Sequence, residues 1–485
     1  MPDNAASELQ GQWSNPGDIL SLLLLIGGDI VQKAIAQLVG YTIRPFGKNG
    51  MSIGIAPVAF SFGWVGYGFT NLLSIIGEKS LMPPADGVAL LVNCSNAFSR
   101  VNQSWALGRL LRDHEASHEV DATDPLSGQL PSTSPQGRAE SIRIDIFELG
   151  VPSKPSLDLV WWLGWVTIGT QIGIAIPPWV VNGNWGVMLV VLCGNFLALL
   201  TTALPQWRQE KWAGRTLEAD KVTCLTRGNG HLHIMVFLGH KGSWDLETLA
   251  TGSSKARPET PVISLILALL WTCLLISVSG LKEHAWYLVG IGGIGMLQNI
   301  YAAGTARNPS TANFHLTEFS PMPTIIGKRQ PFRDAMDSNV DLKDAMADVS
   351  KYSTWIQSMD SQIKGEEAPV TQVLDSVDWE YGIPEWLKPL ATDKNKIENV
   401  QGALIELEKW VPTAGLAMLQ IYFPSHLRYQ DGCIRNNVHK KFWQRAYHTA
   451  RLRKKVVHQR RRMERSRQLG GEKGPKSGSS RQVDV

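Results

Sequence analysis

The sequence predicts a membrane α-helical bundle of about six transmembrane helices, with a small cytosolic β-rich domain and a helical, basic C-terminal tail. Three observations point there. Apolar residues are gathered into blocks of roughly twenty, although the mean hydropathy of the 485-residue chain is only −0.07. Charge is concentrated in residues 206–260 and beyond 304, and tryptophans cluster where the apolar blocks end. A formal net charge of +4 is modest for a nucleic-acid binder, and the five cysteines show neither a disulfide framework nor a CxxC metal spacing.

A helix rises about 1.5 Å per residue, so roughly twenty apolar residues cross the hydrocarbon layer. Segment 1–16 contains Asp3 and Glu8 but no Lys or Arg, so it lacks the basic region of a secretory signal. The apolar run that follows is expected to be a first span or anchor. Residues 17–77 are expected to hold two crossings. The first, 18–40, is apolar only over 19–28 and then carries Asp29 and Lys33, four apart and able to pair on one helix face. An intramembrane acid and base are functional candidates, against the plainer alternative of an interfacial segment or a neutral pair. The second, 52–77, contains Pro57, Gly63, Gly66 and Gly68, which membrane helices tolerate where a neighbour packs closely. Two transmembrane hairpins follow, 158–205 and 261–303; their apolar segments 158–180, 185–205, 261–280 and 284–303 contain no Lys, Arg or Glu.

Orientation follows from basic residues near the spans. The short connections 181–184 and 281–283 are nearly uncharged, whereas Arg208, Lys211, Arg215 and Arg307 lie on the other side. The short loops should face outward and both termini the cytosol. Trp161, Trp162, Trp165, Trp179, Trp185, Trp207 and Trp212 are expected to form an aromatic belt at two levels. Asn93 and Asn102 head glycosylation sequons in a connection assigned to the cytosol, where Arg100, Arg109 and Arg112 outweigh them.

The water-facing parts come next in order. Residues 78–157 contain strand-like runs at 88–93 and 142–146, a helix over 100–115, and a Pro/Ser/Thr/Gly-rich stretch, 121–138, expected to be disordered. In 206–260, runs 221–227 and 231–238 flank Gly228-Asn229-Gly230 and predict a β-hairpin that pairs with the earlier strands. Region 304–432 shows helical spacing at Leu342, Met346, Val349 and Met359 and again over 397–410; the run 414–423 is too short to span, and should pack in a core or rest on the membrane. The tail, 433–485, is expected to be partly disordered. It carries Lys440, Lys441, Arg445, Arg451, Arg453, Lys454, Lys455, Arg460, Arg461 and Arg462, interleaved with Phe442, Trp443 and Tyr447. Anionic lipid headgroups are its expected partner, at roughly 1 kcal/mol per basic residue, against the plainer alternative of a solvated helix. Nucleic acid is not expected.

His114-Glu115-Ala116-Ser117-His118 fits H-E-x-x-H, in which two imidazoles one turn apart bind zinc and the glutamate activates water. Its charged neighbours Asp113 and Glu119, and the absence of a third ligand at a set spacing, argue against that role. His231, His233 and His240 on or beside the hairpin fit a surface cluster better than a metal site. Gly169, Gly173 and the group Gly290, Gly292, Gly293 and Gly295 permit close helix packing, while Gln171, Asn195, Gln298 and Asn299 can bond between helices or line a polar pathway. There is no Walker loop, Rossmann fingerprint, nucleophile elbow or kinase signature, and no cofactor is expected.

Five stretches resemble a family of multi-pass membrane proteins from filamentous fungi: VQKAIAQL (31–38), PVAFSFGW (57–64), SWALGRLLRDHE (104–115), MPTIIG (322–327) and GALIELEKWVPTAGLAMLQIYFP (402–424). The resemblance implies a fungal membrane protein and brings no activity or catalytic residue with it. It stops at Glu115, before His118, which counts further against zinc. The expected function is a non-enzymatic membrane scaffold or interaction protein. A transporter or channel using Asp29, Lys33 and the polar bundle residues is the first alternative, and a metalloprotease built on His114, Glu115 and His118 the second.

Overall fold

The structure is a computed structural model that describes residues 26–43, 53–120, 139–253, 256–281, 284–320, 322–328, 397 and 399–424, with Trp443, Ala446, His458 and Arg462 as single positions. The disordered stretch expected at 121–138, the helix expected around 342–359 and nearly all of the basic tail lie outside these residues.

Helix α1 (Gly28–Leu38) starts after Gly27, whose φ of +94° suits glycine, and buries Val31, Ala34, Ile35 and Leu38. A short antiparallel ribbon, β1 (Thr42–Ile43) with β2 (Ile53–Gly54), leads to a non-helical stretch, 55–62, and then to α2 (Trp64–Gly77). Residues 53–77, expected to be a crossing broken at Pro57, are therefore helical only in their second half. Pro57 cannot donate a backbone hydrogen bond, and Gly63 turns the chain at φ +90°, so helix begins only at Trp64. Strands β3 (Leu90–Asn93) and β4 (Phe98–Val101), helix α3 (Trp105–Ser117) and β5 (Glu140–Leu149) follow.

Next come the long helix α4 (Leu159–Asn182), N-capped by Asp158, then α5 (Gly186–Thr202) and α6 (Pro205–Lys211). Strands β6 (Lys221–Thr226) and β7 (His233–Gly239) and the single turn α7 (Leu246–Leu249) precede α8 (Glu259–Ser279) and α9 (Ala285–Gly304). Strands β8 (Leu316–Glu318) and β9 (Thr324–Lys328), then α10 (Asn399–Trp410) and α11 (Ala414–Tyr422), complete the described elements. Among the described residues α4 and α8 are long and apolar enough to cross a membrane, and α5 with α6, bent by 45°, makes a third if the pair is one span. Helix α9 has the length, but its glycines, Gln298 and Asn299 dilute its apolar character. Outward-facing Val166, Phe196, Leu269 and Leu297 leave apolar surface on these helices that suits lipid.

Residues 53–77 form a hairpin that enters and leaves the bundle at one end. Gly54 lies against Arg208, and beyond α2 the Lys79 carbonyl and the Leu81 and Met82 amides bond to Gln206 and Glu210, all on α6. Its middle reaches far into the bundle, where Phe62 meets Gly292 and Trp64 stacks on Trp271.

The sheet runs β4-β3-β6-β7-β5-β8, with β9 also on β5; β5 and β7 are parallel and every other pairing is antiparallel. The expected hairpin β6–β7 is present and pairs with the earlier strands, β6 with β3 and β7 with β5. The domain is nevertheless mixed α/β. Strand β7 is buried along its whole length, so both faces need covering. Helices α10 and α11 cover Ile142, Ile144, Ile146, Ile234 and Val236, while α3 covers Leu91, Leu225, Met235 and Phe237. The run 414–423 thus packs on the sheet.

Candidate functional site

Inside the bundle, four polar side chains singled out in the sequence converge on the backbone of the hairpin. Asn195 Oδ1 accepts from the Phe60 amide at 3.0 Å, and Gln298 Oε1 accepts from the Ala59 amide at 3.3 Å. Gln171 Nε2 donates to the carbonyls of Phe60 (2.6 Å) and Ile291 (3.0 Å), and Asn299 Nδ2 donates to Ala59 O and Ser61 Oγ. Asn195 also donates to Gln171 Oε1, closing the network. Away from water, non-helical backbone must find partners inside the protein. These amides supply them, pairing both the N–H and the C=O of Ala59 and Phe60.

The glycines follow the same geometry. A Cβ on Gly164 would come within 2.0 Å of Pro57 O, and one on Gly295 within 2.0 Å of Phe60 O. By contrast, nothing lies within 4 Å of Gly169, Gly173, Gly290 or Gly293, so only part of the expected packing set makes contact. Asp29 and Lys33 are both exposed, and no ion pair joins them among the described residues. The aromatic belt is also narrower than expected: Trp162, Trp179 and Trp185 are exposed, but Trp161 and Trp207 are core residues.

Where the bundle meets the α/β domain, four cations close helix ends. Lys211 Nζ donates to the carbonyls of Ala36, Gln37 and Val39 at the end of α1. Arg109 donates to the carbonyls of Ala303 and Thr305, and Arg112 to Gly304, at the end of α9. Arg307 grips both oxygens of Asp158 and donates to Gln37 O at 2.7 Å. Cations stabilise helix C-termini because the terminal carbonyls are unpaired and carry partial negative charge. Asp86 and Asp113 balance the arginines, with Arg109 Nε 2.9 Å from Asp113 and Arg112 2.8 Å from Asp86. Burial pushes the Asp113 carboxyl up from its ordinary range against the pull of Arg109.

Beside this joint lies a cavity of about 620 Å³, bounded by α3, Phe147 and the segment that follows α9. Helix α3 brings His114 and His118 to it, one turn apart, with ring centroids 4.5 Å apart. His114 Nε2 donates to Asp145 Oδ2 at 2.8 Å. Asp145 also accepts from Arg143 Nε and from Thr324 Oγ1 at 2.7 Å. Burial works to raise this carboxyl, but the hydrogen bonds from His114, Arg143 and Thr324 outweigh it and hold it at about 2. The third member of the motif turns elsewhere: Glu115 forms a two-oxygen pair with Arg227, while His118 Nδ1 donates to His114 O. Among the described residues no group of three or more His, Cys, Asp or Glu could hold a metal ion. Of the strand histidines, His233 is buried 6.2 Å from the His114 ring, and burial lowers its affinity for a proton.

The sequence flagged His114 but not Asp145. The signal was the alternation of β5, which sends Ile142, Ile144 and Ile146 to one face and therefore Asp145 to the other, beneath α3. In sequence Arg109, Lys211 and Arg307 mark only orientation; in the structure Arg109 and Lys211 are buried, Arg307 is half-buried, and all three are bonded. Both sequon asparagines are committed: Asn93 donates to Glu247, and Asn102 bonds to both the amide and the carbonyl of Ser104. Of the ten tail cations only Arg462 is among the described residues, and it is exposed.

Comparison of the chain with protein-family models, with curated proteins and with solved structures finds no match.

Proposed function

We propose that this chain is an integral multi-pass membrane protein that clamps an α/β domain against the cytosolic face of its bilayer, as a scaffold or interaction platform and not as a conduit. In this arrangement α4, α5, α8 and α9 cross the bilayer, and residues 53–77 dip into it and return to the cytosolic side. The observation that carries the proposal is the joint. Arg109 and Arg112 tie the end of α9 to α3 of the domain, Arg307 ties the end of α1 to Asp158 and Asp113, and Lys211 ties α1 to α6, so the domain's orientation is fixed. The same cations gather at one end of the bundle, as expected of a cytosolic face. Gln171, Asn195, Gln298 and Asn299 each bond to the hairpin, which leaves them little capacity to line an ion path. The basic tail would add affinity for anionic lipid.

The test is the side on which residue 49 lies. Asn49→Cys in sealed, right-side-out vesicles should resist an impermeant maleimide until the membrane is opened, while Asn182→Cys should react at once, each measured against the unsubstituted chain. Reaction of both from outside would replace the hairpin by a full crossing.

One observation favours a conduit: among the described residues Gln298 Nε2 and Asn299 Oδ1 are buried with no hydrogen-bond partner, beside non-helical backbone. A conduit requires that Asn299→Leu reduce an ion or proton flux across proteoliposomes; a flux indistinguishable from empty liposomes in both proteins rejects it.

A further inference from the structure

We infer that the cavity beneath α3 is a hydrolytic site for small uncharged esters, in which His114 is the general base and Asp145 its positioning residue. The geometry begins with the tautomer. Asp145 accepts from Arg143 Nε and Thr324 Oγ1 and is held well below the usual carboxylate range, so it is an ionised carboxylate that can only accept. Its bond to His114 Nε2 therefore places the ring proton on that nitrogen and leaves the Nδ1 lone pair bare. Among the described residues no group bonds to Nδ1. This is the logic by which a buried carboxylate orients an imidazole base, and here the ring is part of the wall of a cavity of about 620 Å³, within the usual range for small-molecule sites.

The other lining groups select the substrate. Arg307 reaches the cavity wall, but each of its three guanidinium nitrogens already donates, to Asp158 or to Gln37 O. Asp113 is paired with Arg109 and accepts from the Arg307 amide. Among the described lining residues the one arginine is held by Asp158, and the carboxylates of Asp113 and Glu318 share the wall, which disfavours an anion and favours an uncharged molecule. Leu110, Phe147, Met235, Phe314 and Leu316 give the cavity apolar walls for an acyl or aryl group.

The step balances with water as the co-reactant. His114 Nδ1 takes a proton from water as the water oxygen bonds to the ester carbonyl carbon. The tetrahedral intermediate collapses, the bond to the alkoxy oxygen breaks, and the proton on His114 passes to that oxygen. One ester and one water become one carboxylic acid and one alcohol, and the imidazole returns to its starting state.

The experiment uses the full chain in lipid nanodiscs with p-nitrophenyl butyrate, measured from roughly pH 5 to 9, which brackets an imidazole titration. Saturable hydrolysis is expected, rising with pH along a single sigmoid. Removing a general base costs about a hundredfold or more, so His114→Gln should lose that much of kcat. Asp145→Asn should lower kcat and change the pH profile with little effect on KM, whereas His231→Ala, on the exposed turn, should leave the rate unchanged. A purely structural His–Asp tie would leave the three proteins equal wherever they fold. Hydrolysis that never saturates, or that persists in His114→Gln, overturns the site. The unsubstituted chain offers a check independent of any variant: the ¹⁵N shifts of the His114 ring at alkaline pH should report a proton on Nε2, and a proton on Nδ1 instead would also overturn it.

Discussion

At the scale of single residues, Asp145 links acid stability to the site. Its carboxyl titrates at about 2 in the folded protein, below the ordinary value of 3.8. A depressed folded value means that the contribution to stability is complete above about pH 4 and is lost as pH falls toward 2. The gap corresponds to about 2 kcal/mol. Acid unfolding of the purified chain, followed by tryptophan fluorescence, should steepen over that interval, and Asp145→Asn should flatten it while lowering stability at neutral pH. An unchanged acid limb in the variant would remove Asp145 from the account. The residue was only half legible in the sequence. Alternation along β5 fixes its face, but nothing local says that His114, on a helix that precedes the strand, will be above it. For the same reason the H-E-x-x-H pattern misled: a helix places two histidines together, and tertiary contacts decide that one meets Asp145 and that Glu115 meets Arg227.

At the scale of elements, the informative feature is the hairpin held between α4, α5 and α9. Gly295→Ala would drive a methyl group into Phe60 O, and Gly164→Ala would do so into Pro57 O. Overpacking of this kind costs about 1–3 kcal/mol. Gly290→Ala and Gly293→Ala meet nothing within 4 Å and should gain up to about 1 kcal/mol from helix propensity. Thermal unfolding in detergent should therefore shift in opposite directions for the two pairs, and equal shifts would mean that the hairpin does not occupy that space. The long helices were legible because hydropathy and length suffice to define them. The hairpin was not, because a hydropathy average over 52–77 is blind to backbone conformation. Pro57 and Gly63 are visible in the sequence, but membrane helices tolerate both, and only the distant partners of Ala59 and Phe60 show that the chain between them is not helical.

At the scale of the whole molecule, Arg307 joins three parts: Asp158 before α4, Gln37 at the end of α1, and Asp113 of α3 through its own amide. Arg307→Gln would remove the cation from a half-buried acid, leaving, among the described residues, Asp158 only the Trp161 amide and Gln37 O only Lys211. Losing such charge-assisted hydrogen bonds costs about 1.5–3 kcal/mol, and the loss should be local to the joint. Hydrogen exchange should quicken in 150–158 and 304–312 while the middles of α4 and α8 keep their protection; uniform quickening would mean that the joint and the bundle are a single cooperative unit. The pairing of β6 with β7 was readable from the glycine turn between them. The parallel match of β5 with β7 was not, because the connection between them runs through α4 and α5. That connection sets a timetable for biosynthesis. At roughly 5–20 residues per second, β5 leaves the ribosome on the order of ten seconds before β7, and β9 follows only after α8 and α9 have been made. Through that interval the central strand has open edges, the condition that invites pairing with another chain. A chain in which α8 and α9 fail to assemble would keep a bare strand in view of chaperones and proteases, so completion of the sheet follows only on completion of both helix pairs.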